Sequence, residues 1–298
     1  MAEFEESYAF VRSLTGPRLE VACAVDGSQV GMKALDLAIS FMQKARGDTL
    51  DLIHVVDPSH ASPTFTPALI KHECELKATH AGITVDFHIK EKLPEGVEVT
   101  ISQAAEFYKA DLLVVGATGL KVEHDNKTQE NTFAVMGSVS DGSLRRSDVS
   151  VAVVKSTSYD VEAPNVSRVF MLATSDSPAA LVAFALMVTK LAKKTDKVFI
   201  VYGGEDASIM DKYKVECGKL GMECELRLLG ASETNSASLA DAIVECARSN
   251  QVDVLMLGTN AFSKNVLGSV SDACVKAARC TTVVVKDPRQ GSTDQRLM

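Results

Sequence analysis

Short apolar runs alternate along this chain with stretches whose apolar residues recur at helical spacing. Leu19 to Val25 is apolar and stops at Asp26-Gly27-Ser28, which predicts a buried strand and a turn. From Ser28 onward, Val30, Ala34, Leu37, Ala38 and Phe41 fall at i, i+4, i+7, i+8 and i+11. That is one helical face, ended near Gly47. Leu50 to Val56 is the next strand, and Pro58, Pro63 and Pro67 hold a loop open before a helix through His80. Ile83 to Ile89 alternates with period two and predicts a strand. Glu98 to Tyr108 reads as a helix, Leu112 to Val115 as a strand, Val139 to Arg146 as a helix and Val151 to Val154 as a strand. Strictly alternating strands and helices imply a mostly parallel sheet covered on both faces.

After a linker around Ser156 to Asn165 the pattern repeats. Strands are predicted near 168–173, 197–202, 223–229, 252–257 and 281–286, and helices near 178–193, 206–219, 236–249 and 270–279. Ser138-Val-Ser-Asp141 recurs as Ser269-Val-Ser-Asp272, and the closing strands before Lys155 and Lys286 share a pattern. Asp111 and Asp253 are 142 apart, whereas Gly137 and Gly268 are 131 apart, so the copies differ by 11 residues between the glycines. The first copy has 17 residues between Gly119 and Gly137; the second has 6 between Ala261 and Gly268. The chain is a duplication, with one domain over 1–158 and a second, degenerate one over 165–290. The tail from Asp287 is polar and expected to be mobile.

A length of 298 residues suits two domains. A net charge of -8 argues against a broad nucleic-acid surface. The acidic N-terminus has no signal core, and the longest apolar run, Ala179 to Val188, is shorter than the ~20 residues of a membrane helix. Seven scattered cysteines without C-x-x-C spacing fit reduced thiols in a cytoplasmic setting.

Candidate chemistry gathers at the strand ends. Asp111-Leu-Leu-Val-Val-Gly116-Ala-Thr-Gly119 is a strand ending in glycines, and Gly137-Ser138-Val139-Ser140 opens a helix. Backbone N–H groups and the helix dipole there suit a phosphate. Ser138 with Asp141 equally fits an S-x-x-D helix cap and nothing more. Asp26 has two readings: an Asx-type turn with Gly27 and Ser28, or a carboxylate for a ribose hydroxyl or adenine amino group. In a doubly wound sheet ordered 3-2-1-4-5, Asp26 and Gly116 end the two strands that flank the switch point. There is no G-x-G-x-x-G after the first strand, and Gly137 to Ser143 has P-loop glycine spacing without the lysine. The six histidines all lie in the first half, none spaced as a metal pair, and read as structural or exposed. Cys23 reads as core.

With these residues in view, the chain resembles the universal stress protein family, as a tandem of two such domains. The resemblance rests on Val25-Asp26-Gly27-Ser28, the strand Ile53-His54-Val55-Val56, and glycines arranged like the family's G-x2-G-x9-G-[S/T] motif. It implies five-stranded parallel sheets of order 3-2-1-4-5, of the adenine-nucleotide α-hydrolase-like class, and a role in stress tolerance. It implies ATP or AMP as ligand, with Mg2+ as a companion ion. By position, Asp26 and the backbone at Ala24 and Val55 would contact adenosine. Gly116 and Gly119 would allow close approach of sugar and phosphates, and Gly137, Ser138, Val139 and Ser140 would hold phosphate oxygens. Pairing through the last strand is implied too, either of the two domains with each other or in a homodimer.

Both copies depart from the motif. The nine-residue spacer is 17 in the first, with a polar insert across 120–136, although a long loop adds little closure cost. In the second copy Ala261 replaces a glycine, and either Ser175 or, with a one-residue shift, Asp176 stands opposite Asp26. A weak or lost second site is expected. The leading function is a stress-related adenine-nucleotide-binding protein. The altered spacers favour a scaffold or protein-interaction module of the same fold. An ATP-hydrolysing or phosphotransfer enzyme lacks an evident general base, so any turnover would be slow.

Overall fold

Buried strands form where the apolar runs predicted them, because both faces of each sheet are covered by helices. The computed structural model describes residues 8, 17–58, 65–120, 136–157, 167–230, 236–259 and 267–287. Pro63, the middle of the insert (121–135), Pro164, Ala261 and the tail beyond Asp287 lie outside the described residues. Two compact units divide the chain: 17–164, and 165–298 together with 1–16. The lead-in, expected with the first domain, thus groups with the second. Tyr8 is buried with its ring 5.8 Å from that of Phe184.

The first half runs β1 (Glu20–Ala24), α1 (Gln29–Phe41), β2 (Thr49–Val56), α2 (Pro67–His80), β3 (Asp86–Glu91), α3 (Val97–Phe107), β4 (Leu112–Gly116), α4 (Ser138–Arg146) and β5 (Ser150–Val154). Its strands are all parallel, in the order β3-β2-β1-β4-β5. Val30, Ala34, Leu37, Ala38 and Phe41 are the buried face of α1, as their spacing requires. Cys23 is fully buried in β1, which pushes its thiol pKa up.

The second half runs β6 (Val169–Thr174), α5 (Pro178–Leu186), β7 (Lys197–Tyr202), α6 (Ser208–Leu220), β8 (Glu223–Leu228), α7 (Ser236–Ser249), β9 (Val254–Thr259), α8 (Ser269–Ala277) and β10 (Thr281–Lys286). Its order, β8-β7-β6-β9-β10, again all parallel, repeats that of the first half. The helix expected over 178–193 widens into a π turn at Met187–Leu191.

One strand starts later than its pattern suggests. Ile83 alternates with Val85 and Phe87, yet β3 begins at Asp86. Ile83 N–H instead donates to the Ala78 carbonyl at 2.9 Å, and Gly82 N–H to Thr79 at 2.9 Å. That is a Schellman end, with Gly82 at φ 71°. The same end closes α6, where Met222 N–H donates to Cys217 at 2.9 Å and Gly221 sits at φ 68°.

Among the described residues no helix is long and apolar enough to cross a membrane, and no group of three metal-ligating side chains gathers. The seven cysteines are free thiols.

Candidate functional site

The site begins where β1 stops and β2 runs on. Ala24 lies opposite Ile53, and Val25 N–H donates to the Ile53 carbonyl at 3.0 Å. Main-chain groups along a strand alternate sides with period two. Val55 therefore turns its N–H and C=O the same way as Ile53, toward ground that β1 has left. Val56 faces β3 instead, and its carbonyl accepts from Lys92 N–H at 3.0 Å. Among the described residues this leaves the donor–acceptor pair at Val55 open, the pattern an adenine edge matches.

The turn after β1 uses Asp26 twice. Asp26 Oδ1 accepts from Ser28 N–H at 2.9 Å and from Ser28 Oγ at 2.5 Å. Ser28 Oγ in turn accepts from Gly31 N–H at 3.0 Å and caps α1. The Asx-type turn expected of Asp26 is thus present, with Gly27 at φ 85°. Asp26 Oδ2 accepts from Leu120 N–H at 3.2 Å and ties the turn to the loop after β4.

The three glycines of that loop differ in what requires them. A Cβ on Gly116 would lie 3.1 Å from Gly31 N and from the Val30 carbonyl carbon. Close packing of α1 on β4 explains this glycine. A Cβ on Gly119 would lie 2.7 Å from Asp26 Oδ2. Gly137 has an ordinary extended φ of -70°, and the nearest atom to a Cβ there is 3.4 Å away. Among the described residues neither backbone nor packing demands a glycine at 137, and a side chain there would stand over the start of α4.

That start is bare. Gly137 is the N-cap of α4, and among the described residues no side chain caps it. The S-x-x-D cap expected of Ser138 and Asp141 does not form, because Ser138 lies inside the helix as its first residue. Asp141 pairs with Arg145 at 2.9 Å instead. Ser140 is buried, and its hydroxyl turns back to the carbonyls of Ala117 and Gly137 at 2.8 and 2.9 Å. The N–H groups of Ser138, Val139 and Ser140 have no carbonyl four residues back within the helix.

One cavity of about 730 Å³ collects these groups. Ala24, Asp26, Val55, Gly116, Gly119, Gly137, Ser138, Val139 and Ser140 all line it. Its size falls in the range of small-ligand and cofactor sites. The sequence reading missed the far wall, formed by Asp57, Phe65, Lys92, Glu98 and Ile101. Lys92 Nζ pairs with Asp57 Oδ2 at 2.8 Å. The signal for this wall was the switch-point rule itself, which points to the carboxyl ends of neighbouring strands as well.

A family model described as the universal stress protein family matches residues 19–155 and 232–286. The chain belongs to the universal stress protein family. A universal stress protein from Archaeoglobus fulgidus DSM 4304 is 18% identical, covering 90% of this chain and 96% of its own, with a TM-score of 0.58. A protein of unknown function from Pseudomonas aeruginosa PAO1 is 11% identical, covering 93% and 96%, with a TM-score of 0.62. Both share the fold over nearly their whole length. A universal stress protein in complex with cAMP is 27% identical over 46% of this chain and 95% of its own, with a TM-score of 0.34. No curated protein matches the chain.

The second copy of the universal stress protein unit has a different crevice. Ala173 lies opposite Val201 as Ala24 lies opposite Ile53, and Ser177 caps α5 as Ser28 caps α1. Ser175 therefore takes the place of Asp26, and Asp176, at φ 56°, takes that of Gly27. The one-residue shift is ruled out, and Asp176 is ion-paired with Lys212. Gly203 takes the place of Val55, and a Cβ there would lie 2.4 Å from a Leu239 methyl carbon. Leu239 of α7 thus occupies ground beside the strand end. Thr174 and Tyr213 join their hydroxyls at 2.9 Å. Burial raises the Tyr213 pKa, against the opposing pull of the Thr174 hydrogen bond. Gly258 repeats Gly116, since a Cβ there would lie 2.4 Å from the Ala179 carbonyl carbon.

Proposed function

We propose that this universal stress protein binds an adenine nucleotide, ATP or AMP, in the cavity of its first half. One observation carries the reading. The start of α4 lines the cavity beside Gly137, a glycine that no contact among the described residues requires. Ser138, Val139 and Ser140 would donate their N–H groups to phosphate oxygens, with the positive end of the α4 dipole behind them. Val55 would read the adenine edge. Gly119 leaves room beside Asp26, whose carboxylate would meet the ribose. Any Mg2+ would ride on the phosphates, since the described lining gathers no ligand set for a metal. The second half, with Ser175 and Leu239 in its crevice, is the weaker site.

Calorimetric titration tests this. Gly137→Val should weaken nucleotide binding at least tenfold, because its side chain would cover the start of α4. Its extended φ suits valine, so the variant should fold, with a cost of about 1 kcal/mol for the poorer N-cap. Unchanged binding in Gly137→Val would exclude the α4 start as the phosphate site.

A scaffold that binds no nucleotide has one observation in its favour. Both Asp26 oxygens already accept hydrogen bonds within the chain, from Ser28 and Leu120. No heat from AMP or ATP at millimolar concentration would decide for that reading.

A further inference from the structure

The cavity of the first half is acidic. Its charged lining residues are Asp26, Asp57, Lys92 and Glu98. Lys92 is matched by Asp57 at 2.8 Å, which leaves two carboxylates. Both line the same cavity as Ser138 and Val139 at the start of α4. Asp26 Oδ2 lies 2.7 Å from where a Cβ of Gly119 would be. Glu98 Cγ lies 2.4 Å from the corresponding point of Gly142, in the second turn of α4. Arg146, which holds Glu98 at 3.2 Å, is about half exposed and does not line the cavity.

The attraction on offer is therefore small. The start of α4 presents three N–H groups and a dipole worth about half a positive charge. Three donors suit the three terminal oxygens of one phosphate group. A second and third phosphate add two negative charges, and among the described lining residues they meet carboxylates and no cation other than the paired Lys92. Like charges at this range inside a partly closed cavity repel more than they would in bulk water.

We propose that the first-half site selects an adenine nucleotide bearing one phosphate group over the di- and triphosphate, and that Glu98 sets the discrimination. The inference rests on the nucleotide-binding reading of the same cavity. The test is titration of the full-length protein with AMP, ADP and ATP at fixed ionic strength, without divalent cation and then with excess Mg2+. Without Mg2+, AMP should bind at least about tenfold more tightly than ATP, with ADP between them. The gap should narrow with Mg2+ and with added salt, both of which screen the added charges. Glu98→Gln keeps the shape of the side chain and a hydrogen bond to Arg146, and should narrow the gap chiefly by tightening ATP. A thermal melt of the variant checks that it is folded. ATP binding as tightly as AMP in the wild type would overturn the selectivity. An unchanged AMP-to-ATP ratio in a folded Glu98→Gln would overturn the role of Glu98. Absence of binding by all three would instead overturn the nucleotide site beneath it.

Discussion

Gly116 and Gly137 belong to one sequence motif but answer to different physics. Gly116 is pressed by α1, whose backbone would meet a Cβ at 3.1 Å, and Gly258 is required outright by α5, whose backbone would meet one at 2.4 Å. Gly137 meets no such backbone among the described residues, a freedom that suits the ligand role proposed for it. Gly258→Ala should therefore destabilise the protein by about 1–3 kcal/mol through overpacking. Gly137→Ala should cost no more than about 1 kcal/mol, the difference between a glycine and an alanine N-cap. Urea denaturation of the two variants checks the contrast, and equal costs would contradict it. The sequence reading gave both Gly116 and Gly137 a ligand role. A glycine's purpose depends on which backbone comes up against it, and that neighbour is distant along the chain. Asp26 was readable further, because an Asx turn is local and its partner is two residues away.

Strands and helices were legible as elements because period two and period 3.6 are written into neighbouring residues. What ties their ends was not. Asp48 lies in the turn before β2, and its carboxylate accepts from Leu19 N–H at 2.8 Å and Gln43 N–H at 2.7 Å. Asp196 repeats this before β7, accepting from Arg168 N–H at 2.8 Å and Lys193 N–H at 2.7 Å. Asp111 and Asp253 form a second repeated tie, to Glu20 N–H at 2.9 Å and Val169 N–H at 2.8 Å. The ties to Leu19, Arg168, Glu20 and Val169 join residues far apart in sequence, so no local pattern announces them. Burial acts to raise the Asp48 pKa, but Arg46 and the two N–H donors outweigh it and hold the carboxyl below its ordinary value of 3.8. A depressed carboxyl stabilises the fold above the unfolded-state pKa, and that contribution is lost as pH falls through the folded value. Asp48→Asn should thus be clearly less stable than wild type at pH 6, with the difference shrinking below about pH 3.8. Denaturant titrations across that range check it, and a difference independent of pH would contradict the charge-based tie.

At the scale of the whole molecule the repeat was the most legible feature, since Ser138 to Asp141 and Ser269 to Asp272 match residue for residue. The two copies of the fold then diverged at their crevices. One keeps an acid at the turn, an open strand end at Val55 and a cavity. The other has Ser175 at the turn and a Leu239 methyl beside Gly203. The sequence could flag Ser175 but not Leu239, because a leucine on a helix face announces burial without saying what it covers.

The central claim is a single nucleotide site, in the first half. The most direct measurement is the adenine nucleotide released per chain on denaturing freshly purified protein, repeated after saturation with AMP and removal of the excess. The account predicts close to one equivalent per chain, lost in Gly137→Val and kept when Ser175 is replaced by alanine. Two equivalents would mean that the second crevice also binds, and none before or after saturation would contradict the account altogether.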